Sequence, residues 1–400
     1  MQKKDSLRRK LGLFLSFEGI SETIYDSQVA LHVAQMRAHH NVDFYILTYE
    51  TWPGNFKRSM IRKLEVEKLA SVKISLYRGV FIYFPFSAFF NAVFFLFRFM
   101  ILKIKPDFIH ARTEYSVVVA SLTSFVFGTE IIWDCRGNSV AEFEEAWKNS
   151  SFLRKFFLFH YRFSVRSHVF LAKKISRKAI FVSISLKKLL VGDLYLKPSA
   201  IIPTTASHQH FYFCESTRRE FRDRLGIDSR TLVFLYSGGI VGYQGFRRYV
   251  EFFKEVKLTV DDALFLIVTP HTSKAKEFLL ELDDNVYLVL SSSYEEMNGI
   301  YNASDYGLLI REKNMINSVA SPTKFSEYCL SGLPIVMNDS VHQSTIYAKK
   351  IESYINIDNV SCQTKWHILS QIERSSISER AKELFSREKF FLDYLNLYIN

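Results

Sequence analysis

Cysteine, proline and glycine are all scarce in this chain of 400 residues. The four cysteines, Cys135, Cys214, Cys329 and Cys362, form no C-x-x-C pair. That argues against a zinc site and a disulfide framework, and it suits a reducing compartment. With 8 prolines and 15 glycines the chain is not collagen-like. At 48% hydrophobic and 23% charged it is neither disordered throughout nor a coiled coil. Long apolar runs are few. After a basic start (Lys3, Lys4, Arg8, Arg9, Lys10), residues 11–17 are apolar. A signal peptide needs a longer apolar core and a small-residue cleavage site. The run stops at Glu18-Gly19 and reads as a first buried strand ending in a turn.

Aromatic residues and positive charge are plentiful instead. There are 37 Phe and 21 Tyr, and 52 Lys plus Arg against 41 Asp plus Glu give a formal charge of +11. Such an excess favours anionic partners: a membrane surface, nucleic acid or phosphorylated substrates. An uncharged, Phe-rich stretch covers residues 79–97. Its length is at the lower limit for a membrane span, but Pro85 and Asn91 weaken it as a lipid-facing helix. The preferred reading is a loop, Tyr83-Phe84-Pro85, followed by a helix packed on a sheet. An interfacial helix overlaps with that reading.

Four hundred residues suggest two to three domains or one large α/β unit. Apolar strand-like runs alternate with helical spacing, as in a parallel α/β sheet. Strands are expected at 11–17, 42–48, 108–110, 130–134, 179–185 and 200–202, with helices at 27–39 and 117–127. The pattern breaks between Pro203 and Thr217, and a second series follows. Its strands fall at 231–237, 263–269, 285–290, 306–310 and 334–337, with helices at 246–256 and 322–330. Ser293 and Glu296 have capping-box spacing ahead of a helix through Tyr301. The tail from Thr364 is mainly helical. Two such halves suggest two Rossmann-like domains facing across a cleft, with ligands at the switch points.

The most specific stretch is Ser321-Pro-Thr-Lys-Phe-Ser-Glu-Tyr-Cys-Leu-Ser-Gly-Leu-Pro-Ile-Val336. Ser321 suits an N-cap and Pro322 the first helical position. A helix start there, with Thr323, offers N–H groups and a positive dipole end to a phosphate. Lys324 and Glu327 are three apart and share a helical face. The cation suits a diphosphate and the carboxylate suits ribose hydroxyls. The plainer reading is a capped helix with a surface Lys–Glu pair. Gly332 ends the helix, and Pro334 begins a strand.

That stretch resembles the nucleotide-binding helix of the GT-B glycosyltransferases of family 4. Lys105-Pro-Asp-Phe-Ile-His-Ala-Arg112, Ile131-Ile-Trp-Asp-Cys-Arg-Gly137, Phe181-Val-Ser-Ile-Ser185 and Phe234-Leu-Tyr-Ser-Gly-Gly239 are similar to other family motifs and stand in the same order. The resemblance runs from about Gly12 to Val336. It departs where many members carry an Arg and a Lys on the diphosphate: Gly239 and Gln244 stand there. Val319 replaces the first of a pair of Glu residues, and Glu327 fits the second. Arg311, at a strand end, would replace a missing cation. The chain has no Asp-x-Asp pair, so the resemblance implies donor binding without a metal or other cofactor. Lys324, Arg311 and the helix start would then neutralise the leaving group.

On the acceptor side, Asp134 and Arg136 follow a buried strand. They would orient or deprotonate a hydroxyl and bind an anion; an ion pair within a loop is the plainer reading. His110 and Arg112 follow another strand end, where a lone His is an acid/base candidate or a structural residue. Gly19 would let backbone approach the donor, as would Gly238 and Gly239 in the second half, and Glu22 or Gln28 would touch the acceptor.

From Ala146 to Gly192 there is no Asp or Glu. The cations there are Lys148, Arg154, Lys155, Arg162, Arg166, Lys173, Lys174, Arg177, Lys178, Lys187 and Lys188. Phe152, Phe156, Phe157, Phe159, Tyr161, Phe163 and Phe170 are interleaved. This pattern fits an anionic lipid surface, a solvated helix packing its Phe residues on the sheet, or single-stranded nucleic acid, for which no accompanying signature occurs.

Together these features imply an α/β protein of GT-B type. Residues 1–205 would form an acceptor-binding domain, 206–370 a nucleotide-sugar domain, and 371–400 a helix packing back on the first. The implied activity is retaining, metal-independent transfer of a hexosyl group from a nucleotide diphosphate sugar to a lipid-linked or cell-surface glycan. It would occur in the cytoplasm at the inner face of the membrane, with no nucleic acid partner. Alternatives are a sugar-nucleotide epimerase and a non-catalytic scaffold subunit.

Overall fold

The computed structural model describes residues 9–21, 25–52, 54–148, 150–240 and 245–399, without the side chain of Phe157. Lys3, Lys4, Arg8, Glu22 and Gln244 lie outside the described residues. The chain divides into two compact units, residues 1–202 with 391–400 and residues 203–390.

Unit 1 is built on β1 (Lys10–Ser16), α1 (Leu31–His39), β2 (Val42–Glu50), α2 (Phe56–Ala70), β3 (Ile74–Arg78), α3 (Ser87–Leu102), β4 (Phe108–Arg112), α4 (Thr113–Phe127), β5 (Glu130–Cys135), α5 (Ser139–Lys148), α6 (Phe152–Ile175), β6 (Lys178–Phe181), α7 (Ile184–Val191) and β7 (Ser199–Ile201). Its sheet has the order β3-β2-β1-β4-β5-β6-β7, and its pairings are parallel. Helices cover both faces, so the central strands read as nearly continuous apolar runs. Leu13, Phe14, Leu15, Ile109, Ile132 and Trp133 are all buried. β3 is short and alternates buried with partly exposed residues, which left no apolar run to mark it. Residues 79–97 become a loop and then α3, and among the described residues no helix is long and apolar enough to cross a membrane.

Unit 2 contains α8 (Glu215–Leu225), β8 (Leu232–Ser237), α9 (Phe246–Lys257), β9 (Ala263–Val268), α10 (Thr272–Leu279), β10 (Tyr287–Leu290), α11 (Met297–Ala303), β11 (Tyr306–Leu309), α12 (Met315–Val319), α13 (Thr323–Leu330), β12 (Ile335–Met337), α14 (His342–Lys350), β13 (Tyr354–Asn356) and α15 (Gln371–Phe385). The order is β10-β9-β8-β11-β12-β13, again with parallel pairings. The aromatic surplus fills its core: Phe234, Phe246, Phe253 and Phe265 pack together with Tyr236 and Tyr249. The last helix, α16 (Phe391–Ile399), belongs to unit 1, where Tyr398 stacks on Phe108 at 4.6 Å.

Two expected helix starts differ. Ser293 and Glu296 form no capping box; Glu296 is itself the N-cap of α11, and its carboxylate accepts from the Ser292 hydroxyl at 3.0 Å. A capping box does form at Ser370 and Glu373, at the start of α15. Ser321 is not the cap of α13. Pro322 holds that position, and the Ser321 hydroxyl accepts from the Thr204 N–H at 2.9 Å.

Candidate functional site

In each sheet the strand order reverses direction once, between β1 and β4 in unit 1 and between β8 and β11 in unit 2. The carboxyl ends of those strands are where open parallel sheets bind ligands.

In unit 2 the switch point gathers three elements. β8 ends at Ser237, α11 presents Tyr301, and α13 presents Lys324 and Glu327. The Tyr301 hydroxyl donates to Glu327 Oε2 at 2.6 Å. Lys324 Nζ donates to the same oxygen at 2.8 Å and to the Tyr301 hydroxyl at 3.0 Å. Ser237 Oγ lies 3.2 Å from that hydroxyl, and the Ser237 N–H donates to the Tyr328 hydroxyl at 3.0 Å. Burial, then the Glu327 charge, push the Tyr301 hydroxyl well above its ordinary pKa, which keeps it a donor. No side chain caps α13; the Phe325 N–H donates to the Pro322 carbonyl at 3.2 Å, which leaves the dipole end and the N–H groups of Thr323 and Lys324 to meet an anion.

Two further features fix this arrangement. Gly332 ends α13 at φ +72°, and a Cβ there would stand 2.6 Å from the Arg374 carbonyl oxygen. The fully buried Arg374 guanidinium donates to the carbonyls of Asn302 and Ser304 at 3.0 and 2.9 Å, and to those of Tyr301 and Ser331 at 3.3 and 3.2 Å. One side chain thus ties the end of α11 to the end of α13.

The loop after β8 carries Gly238 and Gly239. The Tyr236 hydroxyl donates to the Gly239 carbonyl at 2.6 Å, the Ile240 N–H donates to His271 Nδ1 at 3.0 Å, and Lys274 Nζ donates to the Ile240 carbonyl at 2.9 Å. A Cβ on Gly239 would make only an ordinary 3.4 Å contact with His271, so packing does not demand glycine there. His271 and Lys274 went unnoticed in the sequence. Their signal is a His and a Lys three residues apart just past a strand end. Arg311 stands past β11 with its backbone held by Asn338, at 3.3 Å (N–H to Oδ1) and 2.7 Å (Nδ2 to carbonyl). Among the described residues it makes no hydrogen bond to Lys324, Glu327 or Tyr301.

In unit 1 the structure joins His110, Arg112, Asp134, Arg136 and Gln28. Asp134 Oδ1 lies 3.3 Å from Arg136 Nη1. Its Oδ2 lies 3.6 Å from Arg112 Nη1 and 3.3 Å from His110 Nε2, the last at an angle unsuited to a hydrogen bond. Arg112 Nε donates to Glu18 at 3.0 Å, and Arg136 Nη2 to Gln28 at 2.9 Å. His110 Nδ1 meets the Tyr398 hydroxyl at 2.9 Å, which meets His32 Nε2 at 3.0 Å. Burial opposes the Asp134 charge, yet Arg136, His110 and Arg112 hold its carboxyl well below the usual range. Thr113, β-branched, follows Arg112 at φ +72°, a strained geometry of the kind that gathers at functional loops. Gly19 stands apart from this network. Its backbone stands at φ +68°, a left-handed conformation that favours glycine, and the Glu50 carboxylate lies in the space a Cβ would take. Among the described residues no group of His, Cys, Asp and Glu is arranged as a metal site.

No family model matches the chain, and no curated protein matches it. Solved structures do. A glycosyltransferase from Rickettsia africae aligns with a TM-score of 0.67 at 12% identity, over 97% of this chain and 98% of that one. HepE of Anabaena, solved in complex with UDP, aligns at 0.62 and 11%, over 97% and 99%. Sucrose-phosphate synthase of Thermosynechococcus elongatus aligns at 0.60 and 14%, over 98% of each chain. The chain therefore has the GT-B fold, with two parallel Rossmann-like sheets and their helices.

Proposed function

We propose that the protein transfers a glycosyl group from a nucleotide diphosphate sugar. The observation that carries this is the Tyr301–Lys324–Glu327 cluster beside the uncapped start of α13, at the unit 2 switch point. The shared fold with HepE, solved with UDP, supports it. Lys324 and the first N–H groups of α13 would take the diphosphate, and Glu327 the ribose hydroxyls. Charge that builds on the leaving diphosphate would meet the start of α13 and Lys324, once that lysine has turned from Glu327. His271 and Lys274 sit beside the loop where Gly239 leaves a gap in positive charge, and would supply part of it; Arg311 would supply more. Ser321 and Thr323 would set the path of the chain into α13.

In unit 1, Arg136 and Arg112 would bind an anionic part of the acceptor. Asp134 would act through them rather than by taking a proton, since both its oxygens face cations. His110 would hold that network in place through Tyr398. Retention of configuration is inferred from the family resemblance. A hexosyl donor and a lipid-linked or cell-surface glycan acceptor complete the proposal, the acceptor class being supported by the surface of α6 described below.

Thermal unfolding with a panel of nucleotide diphosphate sugars tests it, comparing wild type with Glu327→Gln. A ligand that binds the folded state raises the midpoint. One donor class should do so in wild type and much less in the variant. No shift with any donor at millimolar concentration would sink the enzyme reading and leave a non-catalytic homologue. Conversion of the donor to its epimer without acceptor would mark an epimerase.

A further inference from the structure

We propose that the outer face of α6, with that of α3 beside it, is a docking surface for an anionic lipid bilayer. This stands independently of the proposed reaction.

α6 has an inner stripe of Leu158, Tyr161, Val165, His168 and Ala172, all buried. At about 100° per residue, Phe152, Phe156, Phe159, Phe163 and Phe170 fall on the opposite side. They are 57–85% exposed. An outer helix face in a globular protein normally carries polar groups; here it carries rings. Lys155, Arg162, Arg166 and Lys173 run along one flank of the Phe stripe. Acidic groups reach α6 from α5, where Glu144 pairs with Arg166 at 2.7 Å. Arg162 lies over the Trp147 ring at 5.7 Å.

The apolar surface extends past α6. The crossovers carrying α3, α4 and α6 all run toward the β7 edge, so the right-handed rule puts the three helices on one face of the sheet. α4 packs against both of the others. On α3, Phe90, Phe94, Phe97 and Ile101 are 41–65% exposed at helical spacing. Neither helix is long and apolar enough to cross a bilayer, so both would lie along it, rings in the acyl boundary and cations at the headgroups. A second copy of this chain is a poor occupant, because its own basic flank would meet this one.

Vesicle sedimentation decides the matter. Wild type should pellet with equimolar phosphatidylcholine and phosphatidylglycerol and stay in solution with phosphatidylcholine alone. Phe159→Ser with Phe163→Ser should lower partitioning about a hundredfold, roughly tenfold per ring, with the unfolding temperature kept because both rings are exposed. Lys155→Gln with Lys173→Gln should lower it about thirtyfold on anionic vesicles. Equal binding to both vesicle types, no binding by wild type, or wild-type binding by both variants overturns the proposal. So does a dimer that the Phe variant dissolves, which would give the face to a second copy, or tight oligonucleotide binding without vesicle binding.

Discussion

The Lys324 ammonium rests 2.8 Å from Glu327 Oε2, so the cation assigned to the diphosphate and the carboxylate assigned to the ribose hold each other. A nucleotide that uses both must exchange this pair for its own groups. The Glu327 side chain is only 5% exposed, against 29% for Lys324. The lysine is therefore the outer partner and the one able to swing.

Lys324→Met should weaken binding of the preferred nucleoside diphosphate by about ten- to hundredfold, the worth of a charge-assisted contact. The nucleoside alone should lose much less. Tyr301→Phe removes a neutral donor to Glu327 and should cost about tenfold. Isothermal titration calorimetry on both variants checks the split; an equal loss for nucleoside and diphosphate would contradict the assignment of Lys324.

Arg374→Met should destabilise unit 2 by about 2–3 kcal/mol, because the Ser331 carbonyl loses a buried donor and the tie between α11 and α13 goes, while Arg218 still donates to the Asn302 and Ser304 carbonyls. Arg374→Lys should restore little, since an ammonium cannot span the ends of two helices. The denaturant midpoint measures this. Where the variant still folds, nucleotide affinity should fall with it.

Asp134→Asn removes the charge that Arg136 and Arg112 share. It should lower stability by about 3 kcal/mol, softened at Arg112 because Glu18 still pairs with it. Arg136→Met should raise the acceptor KM with a smaller effect on the donor KM. Steady-state kinetics with each substrate varied in turn separates the two.

Burial lowers the pKa of His168, packed in α6 against Tyr115 and Tyr161, to about 4 from 6.5. Its folded value lies below its unfolded value. The stability it contributes is therefore complete above about pH 6.5 and is lost as pH falls toward 4, on the order of 3 kcal/mol in all. His168→Phe should flatten the stability profile over that window. Asp134, also held low, weakens the fold only at more acid pH, below its ordinary value of 3.8. Urea denaturation at stepped pH resolves the two ranges.

The strand–helix alternation was legible because strands buried on both faces must be apolar throughout. β3 was not: Ile74–Arg78 is a short edge strand whose partly exposed side tolerates polar residues. The helix carrying Lys324 and Glu327 could be read to within a residue of its start, because Pro322, the 3-residue spacing and Gly332 are local signals. The Ser321 cap misled, since Thr204, distant in sequence, takes that hydroxyl. Tyr301 and Arg374 could not have been found this way. Each gains its importance from groups tens of residues away, side chains for Tyr301 and main-chain carbonyls for Arg374, and no local pattern marks such a meeting.

The stacking of Tyr398 on Phe108, with its hydrogen bond to His110, has a bearing on biosynthesis. The ring reaches the nascent chain only after all of unit 2 has been made. The sheet of unit 1 emerges from the ribosome first and acquires its last buried aromatic last. Until then His110 lacks its hydroxyl partner and Phe108 its cover. A chain that stops at residue 390 should therefore hold an incomplete first unit, although every residue of unit 2 has been made.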